Sequence, residues 1–339
     1  MQCFVALNNV LVTWRSEHKF FSRKRFLLSK ALSSAKPQIF ELPRNDPKHN
    51  YSDSYGETLM VKTDFKYLFR IADNEATKKR LRAMEKDWKT VREKKKLIKG
   101  KWFFPLHLKG MKFWFRKKAA SSSIDAYLEI FRCNGHFEAK GFDGKKARVV
   151  IDVGANEGYY SMKLKKRSPK ARIIAVEPIP ETVEVLKKNL KANGFNDIEI
   201  MSLALGSKTC NAIFEFVPEI SEIASKRIYI QPRPWLPKEW IKKVKVKQLT
   251  LDSLCAQKNV TQIDILKLDV EASEMDILRG AKKMLPKINK IVIEWHSKKL
   301  KKEGTAFLLK NNFKLIKTDK RKEFHCSDSY FVNKRKAKK

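Results

Sequence analysis

The amino-acid sequence predicts an α/β fold in which a mostly parallel β-sheet is covered by helices on both faces. Short apolar runs rich in β-branched residues alternate with stretches of helical periodicity in the second half of the chain. Such alternation is typical of parallel sheets, whose strands are buried on both faces. Only a short polar segment separates the last two apolar runs, 313–318 and 328–333. A connection of that length suits a hairpin, so we expect the final strand to be antiparallel.

The predicted elements of this sheet begin at about residue 147. Apolar, strand-like runs occupy residues 147–153, 172–177, 197–204, 263–269 and 289–295. Helical patterns occupy residues 157–166, 180–192 and 272–284. Two further runs, 212–217 and 244–247, interrupt the alternation and are predicted as added short strands.

Ahead of this sheet, the sequence predicts segments of different character. The predicted order is a basic, mostly helical N-terminal extension at 1–100 that is partly disordered, a hairpin and helix at 101–145, the core domain at 146–333 and a basic tail at 334–339. The extension has sparse apolar positions that approximate one helical stripe from about residue 75 to 99. The hairpin is indicated by aromatic runs on both sides of Lys109-Gly110.

The composition excludes a chain that is disordered throughout, because 42% of the residues are apolar and can form a core. The formal net charge is +37. Such an excess attracts polyanions, so RNA or an anionic membrane surface is an expected partner of the basic N-terminal segment. The alternative is that the lysine richness only reflects the general composition of the proteins of the source organism.

The cysteines and the N-terminus indicate the compartment. The cysteines form no C-x-x-C pair, which disfavours a zinc knuckle or a disulfide framework; they are Cys3, Cys133, Cys210, Cys255 and Cys326. The apolar run at residues 1–14 is too short to span a bilayer, and no other run suits a transmembrane helix. We therefore expect a cytoplasmic protein, with a weak interfacial anchor that would make it peripheral at a membrane as the alternative.

A glycine turn follows the first predicted strand of the core and precedes a predicted helix. It reads Gly154-Ala155-Asn156-Glu157-Gly158. In an open α/β sheet, ligands bind beyond the carboxyl ends of the strands, and glycine lets the backbone turn sharply and approach a ligand. Asn156 tolerates a left-handed backbone better than most residues. The turn is therefore a candidate nucleotide loop, with a purely structural turn as the alternative.

The glycine turn differs from the known phosphate-binding patterns, and these differences indicate which kind of nucleotide it would bind. The dinucleotide pattern G-x-G-x-x-G requires glycine where this chain has Asn156 and Tyr159, and no Gly-Lys-Ser/Thr follows for a P-loop. Glu177, at the end of the next strand, can accept hydrogen bonds from both ribose hydroxyls and would repel a 2′-phosphate. These features favour an adenosine that carries a cationic sulfonium and no phosphate, which is S-adenosyl-L-methionine.

Acidic residues follow the fourth long strand of the core, at the same edge as the glycine turn. Asp269 and Glu271 would share one face at strand spacing. One carboxylate can stabilise a bound sulfonium, and another can accept a hydroxyl proton during transfer. Alternatively, Glu271 and Glu274 only favour the N-terminus of the next helix. Ser273 and Asp276 are predicted to cap that helix.

His296 follows the fifth long strand and belongs to the same edge. It is a candidate base or metal ligand. No H-x-x-x-H pattern or acid-rich partner stands nearby in the sequence, so we favour a role in supporting the reacting groups. We expect no metal site.

These motifs together resemble the FkbM family of class I methyltransferases over about residues 110–333. The matching segments are VIDVGANEGYYS (150–161), AVEP (175–178), LALG (203–206), LTLDSL (249–254), LKLDVEASE (266–274) and IEWH (293–296). The resemblance implies a Rossmann-like, seven-stranded class I methyltransferase sheet with S-adenosyl-L-methionine as the methyl donor. It also implies O-methylation, often of a sugar or natural-product hydroxyl.

The resemblance assigns roles by position. The implied cofactor-binding residues are Asp152, Val153, Gly154, Ala155, Asn156, Gly158, Glu177, Pro178, Leu203, Ala204 and Asp269. The implied catalytic residues are Glu271 as the base, with Asp269 and His296. One position departs from the family, which commonly has glycine where this chain has Ala272. If the backbone there needs a positive φ, alanine costs stability or narrows the site.

The sequence therefore predicts an S-adenosylmethionine-dependent methyltransferase that O-methylates a hydroxyl of a sugar, glycolipid or other small molecule. Two alternatives remain open at this point. The basic surface suits an RNA methyltransferase, and Ala272 suits a non-catalytic binding protein on the same fold.

Overall fold

The computed structural model describes residues 2–7, 10–15, 65–94, 103–116, 120–218, 220–226, 238–319 and 327–335. The chain divides into two units, Met1–Ser54 and Tyr55–Lys339, and the second contains the predicted core. The expectation of disorder in the N-terminal extension falls mostly on residues 16–64, which lie outside the described residues. Most of the predicted basic tail, at residues 336–339, also lies outside them.

The elements are numbered in chain order. The strands are β1 (Gln2–Leu7), β2 (Val10–Arg15), β3 (Phe103–Leu108), β4 (Met111–Arg116), β5 (Val149–Val153), β6 (Arg172–Val176), β7 (Glu199–Met201), β8 (Ala204–Leu205), β9 (Cys210–Val217), β10 (Ile220–Ser225), β11 (Lys242–Leu249), β12 (Ile263–Leu268), β13 (Ile288–Trp295), β14 (Phe313–Thr318) and β15 (Ser327–Asn333). The α-helices are α1 (Phe65–Ile71), α2 (Glu75–Lys94), α3 (Ala120–Phe131), α4 (Tyr159–Arg167), α5 (Pro180–Ala192), α6 (Leu251–Gln257), α7 (Glu274–Arg279) and α8 (Lys298–Lys310). In the first unit, β1 and β2 pair as an antiparallel hairpin that the sequence analysis did not predict.

The central element of the second unit is a seven-stranded sheet with the order β14-β15-β13-β12-β5-β6-β7. Its strands run parallel except β15, which lies antiparallel between β13 and β14. The predicted seven-stranded sheet with an antiparallel last strand is confirmed. Val150 packs into the apolar cluster on one face and Ile151 into the cluster on the other. The strands read as continuous apolar runs because both faces are covered.

Two predicted elements have different bounds in the structure. The run predicted as one strand at 197–204 divides, because β7 ends at Met201 and Ala204 then pairs with Gln248 in another sheet. The helix predicted at 272–284 is the shorter α7. It ends before Gly280, where an added Cβ would lie 2.1 Å from the carbonyl oxygen of Gly206, so the chain leaves the helix where two backbones meet.

A second, four-stranded sheet has the order β10-β9-β11-β8. It contains the two added strands that the sequence predicted, each longer than expected, and β10, which was not predicted. β11 pairs antiparallel with β9 and parallel with β8, so this sheet is connected to the chain directly after β7. It therefore begins near the carboxyl edge of the central sheet.

The predicted hairpin and helix ahead of the core are present as β3–β4 and α3, and they pack onto the central unit. The ring of Phe113 in β4 lies 4.9 Å from that of Tyr127 in α3 and 5.8 Å from that of Tyr159 in α4. The backbone N–H of Trp114 donates to Asn189 Oδ1 on α5 at 2.6 Å. Residues from α1 and α2 join the same apolar cluster. The compact unit thus includes segments that the sequence analysis assigned to separate regions.

Within the described part of the chain, none of the helices combines the length and the hydropathy that a membrane-spanning segment needs.

Candidate active site

The glycine turn lies at the carboxyl end of β5, which pairs with β12 on one side and β6 on the other in the seven-stranded sheet. The backbone N–H groups of Gly154 and Ala155 both donate to the carbonyl oxygen of Val176 at 3.0 Å, which ties the turn to β6. Gly154 has φ +74°, and a Cβ on it would lie 1.7 Å from the carbonyl oxygen of Asp269. No other residue fits there, because any side chain would collide with the backbone that follows β12.

Glu177 at the end of β6 is held against the turn. Its Oε2 accepts the backbone N–H of Asn156 and its Oε1 that of Ile179, both at 3.0 Å. Asn156 has φ +47°, as its predicted tolerance of a left-handed backbone allows, and its buried Oδ1 has no hydrogen-bond partner among the described residues. A close backbone turn, a fixed acid and an orphaned amide oxygen fit the ribose and the ammonium group of S-adenosyl-L-methionine.

The remaining predicted cofactor residues lie around this edge. Val153 ends β5, and Pro178 follows Glu177 with partial exposure. Leu203 and Ala204 are buried just after β7, and the N–H of Glu177 donates to the carbonyl oxygen of Met201 at 3.1 Å. The predicted cofactor residues therefore lie on neighbouring strand ends. Their individual contacts with a cofactor stay predictions.

Burial raises the pKa of the Glu177 carboxyl to about 7, although the N–H groups of Ile179 and Asn156 act in the opposite direction. A neutral carboxyl group can accept fewer hydrogen bonds from the ribose hydroxyls than a carboxylate can. We expect the affinity for S-adenosyl-L-methionine to fall as the pH falls through 7, by about tenfold between pH 8 and pH 6. Calorimetric titration at both pH values measures this change.

The control for this pH dependence is Glu177→Gln, which cannot titrate. The variant should bind the cofactor more weakly than the natural chain at pH 8, and its affinity should change little between the two pH values. An equal pH dependence in both proteins would show that another group is responsible.

Asp152 and Lys267 form a buried ion pair beneath the turn, with the Lys267 Nζ 3.2 Å from Asp152 Oδ1. The ammonium also donates to the carbonyl oxygen of Gly154 at 2.7 Å and lies 3.4 Å from Asp269 Oδ2. Burial opposes the charge on Lys267, but the carboxylates of Asp152 and Asp269 more than offset it and raise its pKa above the ordinary value. Asp152 is fully buried, so the structure places it as a support of the turn.

Glu157 links the same turn to the helices that pack beside it. Its Oε1 accepts the hydroxyl of Ser123 on α3, and its Oε2 accepts that of Tyr159, both at 2.7 Å. Its backbone oxygen accepts a hydrogen bond from Asn189 Nδ2 at 2.9 Å. The turn is therefore held by groups that belong to α3 and α5 as well as to the sheet, which fixes its conformation before a ligand binds.

The predicted catalytic residues meet at the end of β12. His296 Nε2 lies 3.4 Å from Glu271 Oε1 and 3.7 Å from Asp269 Oδ1. On the other side of the ring, Nδ1 lies 2.5 Å from Glu274 Oε1. The structure thus brings Asp269, Glu271 and His296 together, and it places Glu274 where it orients His296, a contact that the sequence did not predict.

Two sequence predictions about this segment are wrong. Asp269 and Glu271 do not share a strand face, because β12 ends at Leu268 and Glu271 has φ +47° in the following turn. Ser273 occupies the N-cap position of α7 but makes no side-chain capping hydrogen bond. Its backbone has φ −102° and ψ 7° instead of the extended conformation that points a capping oxygen at the helix amides.

Three further groups at this edge were not identified as functional from the sequence. His136, in the loop after α3, is buried with Nε2 3.7 Å from Asp269 Oδ2 and 3.9 Å from Glu294 Oε2. Its Nδ1 lies 3.1 Å from Asp328 Oδ1 on β15. Glu294 was part of the IEWH segment, but His136 and Asp328 belong to no motif, and only their proximity in the fold reveals them.

The two histidines lie in a strongly acidic environment. Burial alone would lower the pKa of each ring. For His136, the carboxylates of Asp328 and Asp269 more than offset burial, and for His296 those of Glu271 and Glu274 do so. The pKa of each imidazole is therefore raised well above its ordinary value. This edge of the sheet attracts cations.

The backbone at Ala272 has φ +70°, the conformation that glycine adopts without strain. We expect Ala272→Gly to raise the free energy of unfolding by about 1 kcal/mol, because relief of the left-handed strain exceeds the extra entropy of the unfolded glycine. Chemical denaturation measures this change. The control is Ala192→Gly at the end of α5, which should destabilise by up to about 1 kcal/mol. Destabilisation of similar size in both variants would contradict the strain at Ala272.

The strand order of the central sheet, the glycine turn after β5 and the acid at the end of β6 define the class I methyltransferase fold. A family model described as the methyltransferase FkbM domain matches residues 152–317. The match covers just under half of the chain and confirms the resemblance to the FkbM family that the motifs predicted.

Relatives of this chain include two fungal proteins. It is 27% identical to Methyltransferase 1 of Beauveria bassiana over 144 residues, which cover 39% of this chain and 57% of that protein. The chain therefore matches little more than half the length of that relative. It is 23% identical to the methyltransferase sdnD of Sordaria araneosa over 194 residues, which cover 50% of this chain and 74% of that protein.

Among solved structures, fibrillarin of Aeropyrum pernix with bound S-adenosyl-L-methionine aligns with a TM-score of 0.38 and 12% identity. The alignment covers 70% of this chain and 84% of that one.

Proposed function

We propose that this protein is an S-adenosyl-L-methionine-dependent methyltransferase that methylates a hydroxyl group of a sugar, glycolipid or other small molecule. The observation that supports this most is that the glycine turn touches the acidic turn after β12. Gly154 approaches the carbonyl oxygen of Asp269 so closely that no side chain fits between them. The residues suited to hold a methyl donor are therefore adjacent to those suited to activate an acceptor.

S-Adenosyl-L-methionine supplies an electrophilic methyl group on a positively charged sulfur. The turn at residues 154–158 and Glu177 would hold it, and the carboxylate of Asp269 favours a cation at this edge. The side chain of Asp269 is 29% exposed and that of Glu271 is 17% exposed, so both border solvent where an acceptor can enter. Fixed positions of this kind lower the barrier by holding the two reactants in contact.

Glu271 is the proposed base. Its carboxylate lies beside His296, whose orientation is fixed by Glu274 on the opposite side of the ring. A carboxylate in this position can accept the proton that an acceptor hydroxyl loses as its oxygen forms a bond to carbon. His296 would then orient Glu271 and, when protonated, balance its charge, while Asp269 favours the cationic donor.

The test separates donor binding from transfer. Glu271→Gln should leave the affinity for S-adenosyl-L-methionine unchanged and lower turnover by about 10²–10⁴-fold, because only the base is lost. Glu177→Ala should weaken the affinity by about a hundredfold, because two charge-assisted hydrogen bonds are lost. Glu303→Gln, on the exposed surface of α8, is the control and should change neither quantity.

The measurements are calorimetric titration with the cofactor and transfer of a labelled methyl group to cell extract fractionated into glycan, lipid, RNA and protein. Unchanged cofactor affinity in Glu177→Ala would contradict the donor site. Label that appears only in the RNA fraction would replace the proposed acceptor class with nucleic acid.

A further inference from the structure

Two buried histidines face the same two carboxylates at the carboxyl edge of the central sheet. Asp269 directs Oδ2 towards His136 Nε2 and Oδ1 towards His296 Nε2, each at 3.7 Å. Glu294 directs Oε2 towards His136 Nε2 and Oε1 towards His296 Nε2, each at 3.9 Å. We call these four residues the histidine–carboxylate cluster. Its four separations exceed those of hydrogen bonds.

The outer nitrogen of each histidine faces a further buried carboxylate. His296 Nδ1 donates to Glu274 Oε1 at 2.5 Å, and His136 Nδ1 lies 3.1 Å from Asp328 Oδ1. The side chains of Glu274 and Asp328 are 0% and 1% exposed. If a metal ion displaces the proton on Nε2, the proton that remains on Nδ1 leaves the lone pair of Nε2 directed into the cluster. Histidines that bind metals in proteins are oriented in this way, with a carboxylate on the remaining nitrogen.

We propose that the histidine–carboxylate cluster binds a divalent transition-metal ion, with Asp269, Glu294 and His296 as ligands and His136 beside them. One ligand atom from each of these three residues lies within 4.8 Å of the others. Metal–ligand distances of about 2.1 Å place neighbouring ligand atoms roughly 3.0–3.4 Å apart. The distances from His296 Nε2 to Asp269 Oδ1 and Glu294 Oε1, 3.7 and 3.9 Å, would then contract by roughly 0.3–0.9 Å. This site departs from the expectation of no metal, which rested on the absence of a sequence pattern.

The ligand types indicate which ions fit. Imidazole nitrogen favours Mn²⁺, Fe²⁺ or Zn²⁺ over Mg²⁺ and Ca²⁺, which prefer oxygen ligands alone. Carboxylates also outnumber the basic groups in the ion pairs of this edge. The basic groups are His136, His296 and Lys267, and the carboxylates are those of Asp152, Asp269, Glu271, Glu274, Glu294 and Asp328. A divalent cation reduces the repulsion among them.

The role of the ion rests on the proposed methyltransferase function. The acceptor hydroxyl oxygen would bind the ion, which lowers the pKa of the hydroxyl, and its proton would pass to the Glu271 carboxylate. The acceptor oxygen then forms its bond to the methyl carbon while the carbon–sulfur bond breaks and its electron pair stays on sulfur. The site would thereby select acceptors that offer a metal-binding oxygen, such as a sugar diol.

The test is direct binding of Mn²⁺ to the full chain after chelator treatment, followed by electron paramagnetic resonance without donor or acceptor. We expect one saturable Mn²⁺ site per chain, with nitrogen coupling from imidazole in the pulsed spectrum. Glu294→Gln keeps the shape of the side chain and should weaken Mn²⁺ binding at least tenfold. His296→Gln should weaken binding and remove the nitrogen coupling of that ring. The control His107→Ala, in β3, should bind as the natural chain does.

Several outcomes would overturn the metal site: no saturable Mn²⁺ binding, equal affinity in Glu294→Gln, no nitrogen coupling, or Mg²⁺ binding as tight as Mn²⁺ binding. Calorimetric titration with S-adenosyl-L-methionine, run on the same samples, separates the two proposals. Cofactor binding without Mn²⁺ binding contradicts only the metal site, whereas Mn²⁺ binding without cofactor binding contradicts only the donor site.

Discussion

Gly154→Ala should destabilise the protein by about 4 kcal/mol and abolish measurable binding of S-adenosyl-L-methionine. The added Cβ would lie 1.7 Å from the carbonyl oxygen of Asp269, and φ at this position is +74°. The Asp269 oxygen belongs to the main chain, and the backbone alone fixes the position of the Cβ, so neither atom can move aside by changing a rotamer. Overpacking of this kind typically costs about 1–3 kcal/mol, and the left-handed backbone adds about 1–2 kcal/mol. Denaturant unfolding and calorimetric titration measure the two effects.

The chain offers a matched control in Gly194→Ala. Gly194 has the same φ of +74°, but an added Cβ there would meet nothing within 4 Å. We expect this variant to lose only about 1 kcal/mol and to bind the cofactor normally. The difference between the two variants isolates the contact with Asp269. Equal losses of stability would show that the turn after β5 and the turn after β12 are not in close contact.

This contact shows which part of the site the sequence could predict. Gly154 and Glu177 were identified because each follows an apolar strand directly, and parallel strands bring their carboxyl ends to one edge. Local spacing along the chain was therefore enough to predict the proposed donor side of the site. The left-handed backbone at Ala272 was likewise indicated by the glycine that the family commonly has there.

The acceptor side could be predicted only in part, because its groups come from distant segments. His136 belongs to the loop after α3 and Asp328 to the antiparallel strand β15, and the hydrogen bond between them joins residues 192 positions apart. No periodicity or spacing records such a contact. Lys267 lay within a recognised segment, but a lysine in an apolar strand reveals its role only when its acidic partners are known.

In the fold as well, features set by local spacing could be predicted, whereas those that depend on distant segments could not. The alternation of strands and helices predicted the central sheet and its antiparallel last strand. It did not predict that the chain leaves the sheet after Met201, because Ala204 pairs with β11, a strand more than 40 residues away. The turn after β12 was also wrongly predicted. The sequence predicted an extended strand with Asp269 and Glu271 on one face, but the backbone at Glu271 has a positive φ.

Lys267→Met should destabilise the protein by about 3–5 kcal/mol, because it leaves Asp152 as a buried charge with its main cationic partner removed. Lys267 is 3% exposed and Asp152 is 0% exposed, so water cannot replace the lost ammonium. The same change removes the donor to the carbonyl oxygen of Gly154, so the cofactor turn loosens. We expect the affinity for S-adenosyl-L-methionine to fall by about tenfold, in line with the loss of one charge-assisted hydrogen bond.

The second variant for this test is Lys267→Met combined with Asp152→Asn, which removes both charges. Asparagine can still accept the hydrogen bond that Ser161 Oγ donates to Asp152 Oδ2 at 2.7 Å. The double variant should therefore recover more than half of the lost stability, whereas simple loss of lysine packing would leave the two losses additive.

The exposed pair Lys78–Glu75 gives the comparison for an ion pair in water. Its atoms are 2.7 Å apart, closer than those of Lys267 and Asp152, yet the two side chains are 35% and 73% exposed. Lys78→Met should change the free energy of unfolding by about 1 kcal/mol or less. If Lys267→Met costs no more than Lys78→Met, then burial does not strengthen the Lys267 network. The turn would then be held by its backbone hydrogen bonds to Val176 and by the hydrogen bonds of Glu157 and Glu177.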